Sequence, residues 1–228
     1  MFLISFLATI LLATGSFASI NDVADPTQCK TSVLSKCLAT FDHSLNITIL
    51  YPWNEASLFQ DQVEQYYEVG GTSGLRKVCK AFRELRGCMG TYYASCFNAA
   101  YFAGSAGVDI TNSYKFVQIF NQLHFVCGGG FSSYINNDNC MTQTWSNNRK
   151  SLRDCRLKFE IQALNTPEDA CYLGGQMIQC YVSFFNSGCN YQRPDSSWWA
   201  CEYARGEIFT RYPQCPYSCT YTNYAIGA

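Results

Sequence analysis

Charged side chains are scarce in this chain. They make up 14% of its 228 residues, and the formal net charge is -1. Gripping phosphate backbones calls for a basic excess, so no nucleic-acid partner is expected. Histidine is scarcer still, with only His43 and His124. There is no Cys-x-x-Cys pair, which removes a thioredoxin-like redox site. His124 and Cys127 stand one helical turn apart, and two ligands do not make a zinc site. GxSxG, Walker and dinucleotide fingerprints are absent, so no cofactor is expected. Alternating runs of Val, Ile and Thr are nearly missing, which argues against a sheet. Beyond the amino terminus no stretch is apolar enough to span a bilayer. The closing YTNYAIGA lacks the tail of a lipid-anchor signal, so no membrane anchor is expected.

What the chain does have is apolar surface and cysteine. Hydrophobic residues make up 48%, with 16 Tyr, 16 Phe and 4 Trp. Residues Phe2 to Leu12 form an apolar run, followed by small residues through Ala18. That pattern reads as a signal peptide over residues 1–18, cut between Ala18 and Ser19, although its start carries no Lys or Arg. The run is too short to span comfortably, because a bilayer needs roughly 20 residues. The mature chain, 19–228, reads as one secreted, cysteine-rich helical domain. All 14 cysteines fall within it: Cys29, Cys37, Cys79, Cys88, Cys96, Cys127, Cys140, Cys155, Cys171, Cys180, Cys189, Cys201, Cys215 and Cys219. An even number on an oxidising route allows up to seven disulfides, and sequence leaves their connectivity open. Asn46-Ile47-Thr48 is the one acceptor for N-glycosylation in the mature chain and marks surface.

Helical periods dominate, and about seven helices are expected. Asp25-Pro26-Thr27-Gln28 reads as a helix start before Cys29, Val33, Cys37 and Phe41. Asn54-Glu55 opens a second helix that Gly70-Gly71 ends. Leu75, Val78, Cys79, Phe82, Leu85 and Met89 share one arc of a third. Asn112 or Ser113 caps a fourth, which Gly128-Gly129-Gly130 stops. Leu152 to Phe159, a run begun by Thr166-Pro167-Glu168-Asp169, and a run after Asp195-Ser196-Ser197 complete the set.

Cysteine spacing hints at a duplicated helical layer, with halves 29–140 and 141–228. In that match Cys37, Cys79, Cys88, Cys96, Cys127 and Cys140 face Cys155, Cys171, Cys180, Cys189, Cys201 and Cys215, leaving Cys29 and Cys219 over. Coincident helical periods would look the same. The unequal gaps Cys37–Cys79 and Cys155–Cys171 count against the match.

The order Cys29…Cys37…Phe41, then GGTSGLRKVCKAFRELRGC, FVCGGGFSSYINNDNC and SLRDCRLKF, resembles a family of secreted, cysteine-rich, mainly helical domains. That family is abundant in nematodes and other invertebrates. The resemblance spans most of residues 29–219 and rests on cysteine spacing with apolar neighbours. It implies secretion and a helical disulfide fold, and it transfers no catalytic residue.

Side chains that could carry chemistry are few. His124 lies in an aromatic helix, and His43 follows a helix end. Glu168-Asp169 suit a helix start. Asp138, in INNDN, could serve a calcium turn, but EF-hand spacing is missing. Two basic stripes stand out: Arg76, Lys80, Arg83 and Arg149, Arg153, Arg156, each spaced i, i+4, i+7. Either could meet a sulfated sugar or an acidic protein, or simply be a solvated face. Tyr92-Tyr93, Trp198-Trp199 and Tyr217, Tyr221, Tyr224 fall off the expected inward faces and are candidate contacts. The reading is a secreted, non-enzymatic all-α protein that binds an extracellular protein or glycan. Its alternatives are a matrix component of shell, cuticle or egg coat, and a carrier of a small apolar ligand.

Overall fold

A computed structural model describes residues 24–190 and 193–220, and the backbone of 225–226. The expected signal peptide and its cut lie outside the described residues, as do Tyr221 and Tyr224. The chain is all-α, as expected. Its helices are α1 (Thr31–Ser44), α2 (Ala56–Met89), α3 (Tyr93–Cys96), α4 (Ala99–Ser105), α5 (Ile110–Val126), α6 (Phe131–Asn136), α7 (Asp138–Asn165), α8 (Ala170–Gly188) and α9 (Pro194–Arg211). A two-residue antiparallel pair, Tyr217–Ser218 with Ala225–Ile226, is the only ladder among the described residues.

All seven expected helical runs are present, with different joints. Asp25 caps an isolated 3-10 turn, Pro26–Gln28, by accepting the Thr27 N–H, and α1 starts only at Thr31. Asp109, rather than Asn112 or Ser113, caps α5 through the N–H groups of Thr111 and Asn112. The second and third expected helices are one, α2, bent at Gly71, where φ is 52° and ψ is -141°. An L side chain rarely adopts that conformation. A Cβ on Gly71 would also lie 2.7 Å from Asp138 Oδ1, and one on Gly74 would lie 1.7 Å from the Tyr66 carbonyl oxygen. Glycine is therefore what permits the elbow. Past it, Asp138 Oδ1 accepts the Thr72 N–H at 2.8 Å, so the residue read as a turn carboxylate caps the second limb of α2.

All fourteen cysteines are paired, in two separate sets. The first set is Cys29–Cys96, Cys37–Cys88 and Cys79–Cys127. The second is Cys140–Cys189, Cys155–Cys180 and Cys171–Cys215, with Cys201–Cys219 as an extra bolt. Numbered in order, the first six cysteines and these second six follow one rule: first to fifth, second to fourth, third to sixth. The sequence match needs correcting in two places. Connectivity pairs Cys29 with Cys140 and Cys127 with Cys215, and the cysteines left over, Cys201 and Cys219, bond each other. The boundary between the sets falls before Cys140 rather than after it. Helices α1, second-limb α2 and α5 thus correspond to α7, α8 and α9. No disulfide joins one set to the other.

Each set closes over its own aromatic cluster. Phe41, Phe59, Phe82, Phe97, Phe102, Phe116 and Phe120 pack together around α5, with centroids 4.3 to 6.5 Å apart. Trp145, Tyr181, Phe185, Trp199 and Tyr203 form the other, with Trp199 and Tyr203 stacked at 4.9 Å. The clusters meet where α2 packs on α7 and α5 packs on α9.

Candidate functional site

The two basic stripes have opposite fates. Of Arg149, Arg153 and Arg156, only Arg156 is buried against α2; Arg149 and Arg153, 43% and 48% exposed, reach carboxylates of the same helix while staying open to water. Their partner is a matching acidic stripe, Asp61, Glu64 and Glu68, at helical spacing on the first limb of α2. Arg156 is 3% exposed and donates to both Glu64 oxygens, at 2.8 and 3.1 Å, and to Asp61 at 3.2 Å. Arg153 pairs with Asp61 at 2.8 Å and Arg149 with Glu68 at 3.0 Å. Gln60 and Tyr203 also donate to Glu64, at 2.8 and 2.6 Å. Nearby, Lys115 of α5 pairs with Glu160 of α7 at 2.7 Å, and Gln122 of α5 donates to Glu207 of α9 at 3.4 Å. Sequence reading missed the acidic half, because nothing local says which helix a carboxylate stripe will meet.

Such a cluster resembles acid–base machinery in composition, but Glu64, Glu68 and Arg156 are buried, while Arg149 and Arg153 reach water. Burial pushes the Glu68 carboxyl up to about 8, with the Glu64 charge adding to the effect and Arg149 opposing it. Burial also raises Glu207, with Glu160 adding. The hollow bordered by Lys115, Gln118, Glu160 and Glu207 holds about 20 Å³, room for one water and no substrate. With the aromatic contacts of Tyr67 on Trp145 and of Phe125 on Trp199, the network makes the non-covalent joint between the two disulfide-bolted sets.

The stripe on the second limb of α2 is different. Arg76, Lys80 and Arg83 are all exposed and lie within about 60° of arc, at roughly 100° per residue. Exposed Lys77 and Arg86 flank them. Of the five, only Lys80 has a carboxylate within ion-pair reach among the described residues, Glu84 at 3.9 Å, and both partners are open to water. Aromatic rings hold the flanks: Arg76 lies 5.8 Å from the Phe131 centroid, Lys77 4.8 Å from Tyr66 and Arg86 5.7 Å from Tyr93.

The other expected sites resolve individually. His124 is wedged against Phe82 at 5.0 Å and Tyr93 at 5.3 Å, and burial, then Arg86, lowers its pKa, so the ring is neutral at pH 7. His43 is exposed in the last turn of α1. The off-core reading of the aromatics fails at Trp199, which is 0% exposed, and at Tyr93, packed on Phe97 at 4.6 Å. Trp198 packs on Phe125, Tyr92 lies under Lys30, and the Tyr217 hydroxyl donates to the Cys171 carbonyl. Asn46 is exposed, with φ 49°. Among the described residues there is no group of three or more His, Cys, Asp or Glu suited to a metal, and no helix long and apolar enough to cross a membrane. No family model, no curated protein and no solved structure matches the chain.

Proposed function

We propose that this is a secreted, non-enzymatic scaffold that binds an acidic extracellular partner, a sulfated polysaccharide first among them, along the outer face of α2. The observation that carries this reading is the exposed ridge of Arg76, Lys80 and Arg83, where Glu84 beside Lys80 is the one carboxylate within ion-pair reach among the described residues. In the other arginine stripe Arg153 and Arg156 are paired with Asp61 and Glu64, and the chain as a whole is near neutral, so the ridge is a local positive field on a near-neutral body. Charge complementarity of this kind steers encounter and selects partners. From residue 76 to 83 the ridge runs about 10 Å, at roughly 1.5 Å per residue, which suits a linear polyanion. The complete pairing of fourteen cysteines and the apolar leader support secretion. The matrix reading rests on aromatic richness, low charge and the tyrosine-bearing tail, whose Tyr221 and Tyr224 lie outside the described residues, and no single observation favours it or the carrier reading over a charged partner.

The test is retention on an immobilised sulfated polysaccharide at physiological salt. The native chain should be held. The triple charge reversal R76E, K80E, R83E, with unchanged circular dichroism, should pass through. Equal retention of the two proteins removes the ridge from the role, and retention of neither on any sulfated polymer turns the search to acidic proteins.

A further inference from the structure

The elbow of α2 creates a groove of about 610 Å³ on its outer side, and Asn46 stands on its rim. One wall is Gln62, Gln65, Tyr66 and Val69 of the first limb; the other is Ser73 and Lys77 of the second. The backbone that carries Asn46 is held firmly. Leu45 is 2% exposed and Ile47 is 7% exposed, the Ile47 N–H donates to the Asp42 carbonyl at 2.8 Å, and the Tyr66 hydroxyl donates to the Leu45 carbonyl at 2.5 Å. Asn46 and Thr48, the two recognition positions of the acceptor triplet, are both exposed.

We infer that the groove is the seat of an N-linked glycan carried by Asn46, and that the first N-acetylglucosamine packs into it rather than projecting into solvent. The inference rests on the secreted reading, since glycan transfer occurs on that route. Transfer forms a bond between the anomeric carbon of the sugar and Asn46 Nδ2. The bond from that carbon to its lipid-diphosphate carrier breaks, the carrier leaves with the electron pair, and the amide gives up one proton.

One feature of the groove suits this occupant. Val69, 64% exposed, lines it together with Tyr66 and gives it an apolar strip of the kind a sugar ring face covers. Gln65, Ser73 and Lys77 offer polar contacts around the strip. The tether makes weak contacts sufficient, because a group linked through a short spacer experiences an effective concentration in the millimolar range.

The experiment uses the full chain secreted from a glycosylating host, beside Thr48→Ala, which removes the acceptor triplet without changing any groove wall. Intact mass reports first whether residues 1–18 are gone and whether Asn46 carries sugar. Amidase release of the glycan is then timed on the native and on the reduced, denatured chain, and amide exchange is followed over residues 62–77. The expected result is a glycan released about tenfold more slowly from the native chain, a protection equal to about 1.4 kcal/mol. Faster exchange at 62–77 is expected in Thr48→Ala. A glycan present but released equally fast, with exchange unchanged, overturns the proposal. A bare Asn46 on a chain that has lost residues 1–18 overturns it while leaving secretion intact. A chain that keeps residues 1–18 strikes the secreted reading itself. A small apolar molecule that co-purifies with Thr48→Ala and protects 62–77 assigns the groove to a different ligand and overturns the glycan.

Discussion

Arg156 shows how one residue's setting decides what its charge is for. Its guanidinium and Glu64 are both nearly free of water, so removing one strands the other. Arg156→Ala should lower stability by about 3–5 kcal/mol in urea unfolding. Arg153, half exposed and sharing Asp61 with Arg156, should cost about 0–1 kcal/mol when replaced by Ala. Glu68 sets a pH dependence. Its folded carboxyl titrates near 8, above the value of 4.5 for the free side chain, so folding favours the protonated form. That contribution is complete below the unfolded pKa and is lost as pH rises through about 8. The melting temperature should therefore fall from pH 5 to pH 9, and Glu68→Gln should flatten that decline. An unchanged slope in the Gln variant would assign the loss to other groups.

Among the elements, α2 organises the rest. Its first limb supplies the acidic stripe that receives α7, its second limb supplies the basic ridge, and the bend between them makes the groove. Gly71→Ala should cost about 1–3 kcal/mol, since it forces a side chain into positive φ and against Asp138. Near-native stability in that variant would mean that the elbow relaxes easily. The helical content was legible because apolar periods are local: Leu75 to Met89 fell in one arc and is a helix. The joints were not. Gly70-Gly71 reads as a stop by composition, yet α7 delivers Asp138 to cap the restart, a contact 66 residues away. The Arg76 stripe and the Arg149 stripe are indistinguishable by spacing. Only the long-range pairing of α2 with α7 makes one a surface and the other a joint.

At the scale of the whole molecule, two disulfide-bolted sets share one connectivity rule and touch through a joint of ion pairs and aromatic contacts. Each closed loop stabilises by about 2–4 kcal/mol, chiefly through the unfolded chain, so each set should resist heat on its own account. The spacing of cysteines made a repeat visible, but the register could be drawn only once the bonds were known, because Cys201 interrupts the order. A protease site inserted at Gly128-Gly129 tests the division. After cutting, the two parts should separate in denaturant without reductant, whereas a cut inside either set should leave the pieces joined. One unbroken species after the first cut would mean that a bond crosses the boundary.

The most direct test of the central claim, that one arginine stripe is for a partner and the other for the fold, is binding to a sulfated polysaccharide as a function of salt in three proteins. These are the native chain, R76E/K80E/R83E, and R149Q/R153Q. The account predicts tight, steeply salt-sensitive binding by the native chain, the same binding by R149Q/R153Q, and none by the ridge variant. Loss of binding in R149Q/R153Q with the ridge variant unaffected would contradict it.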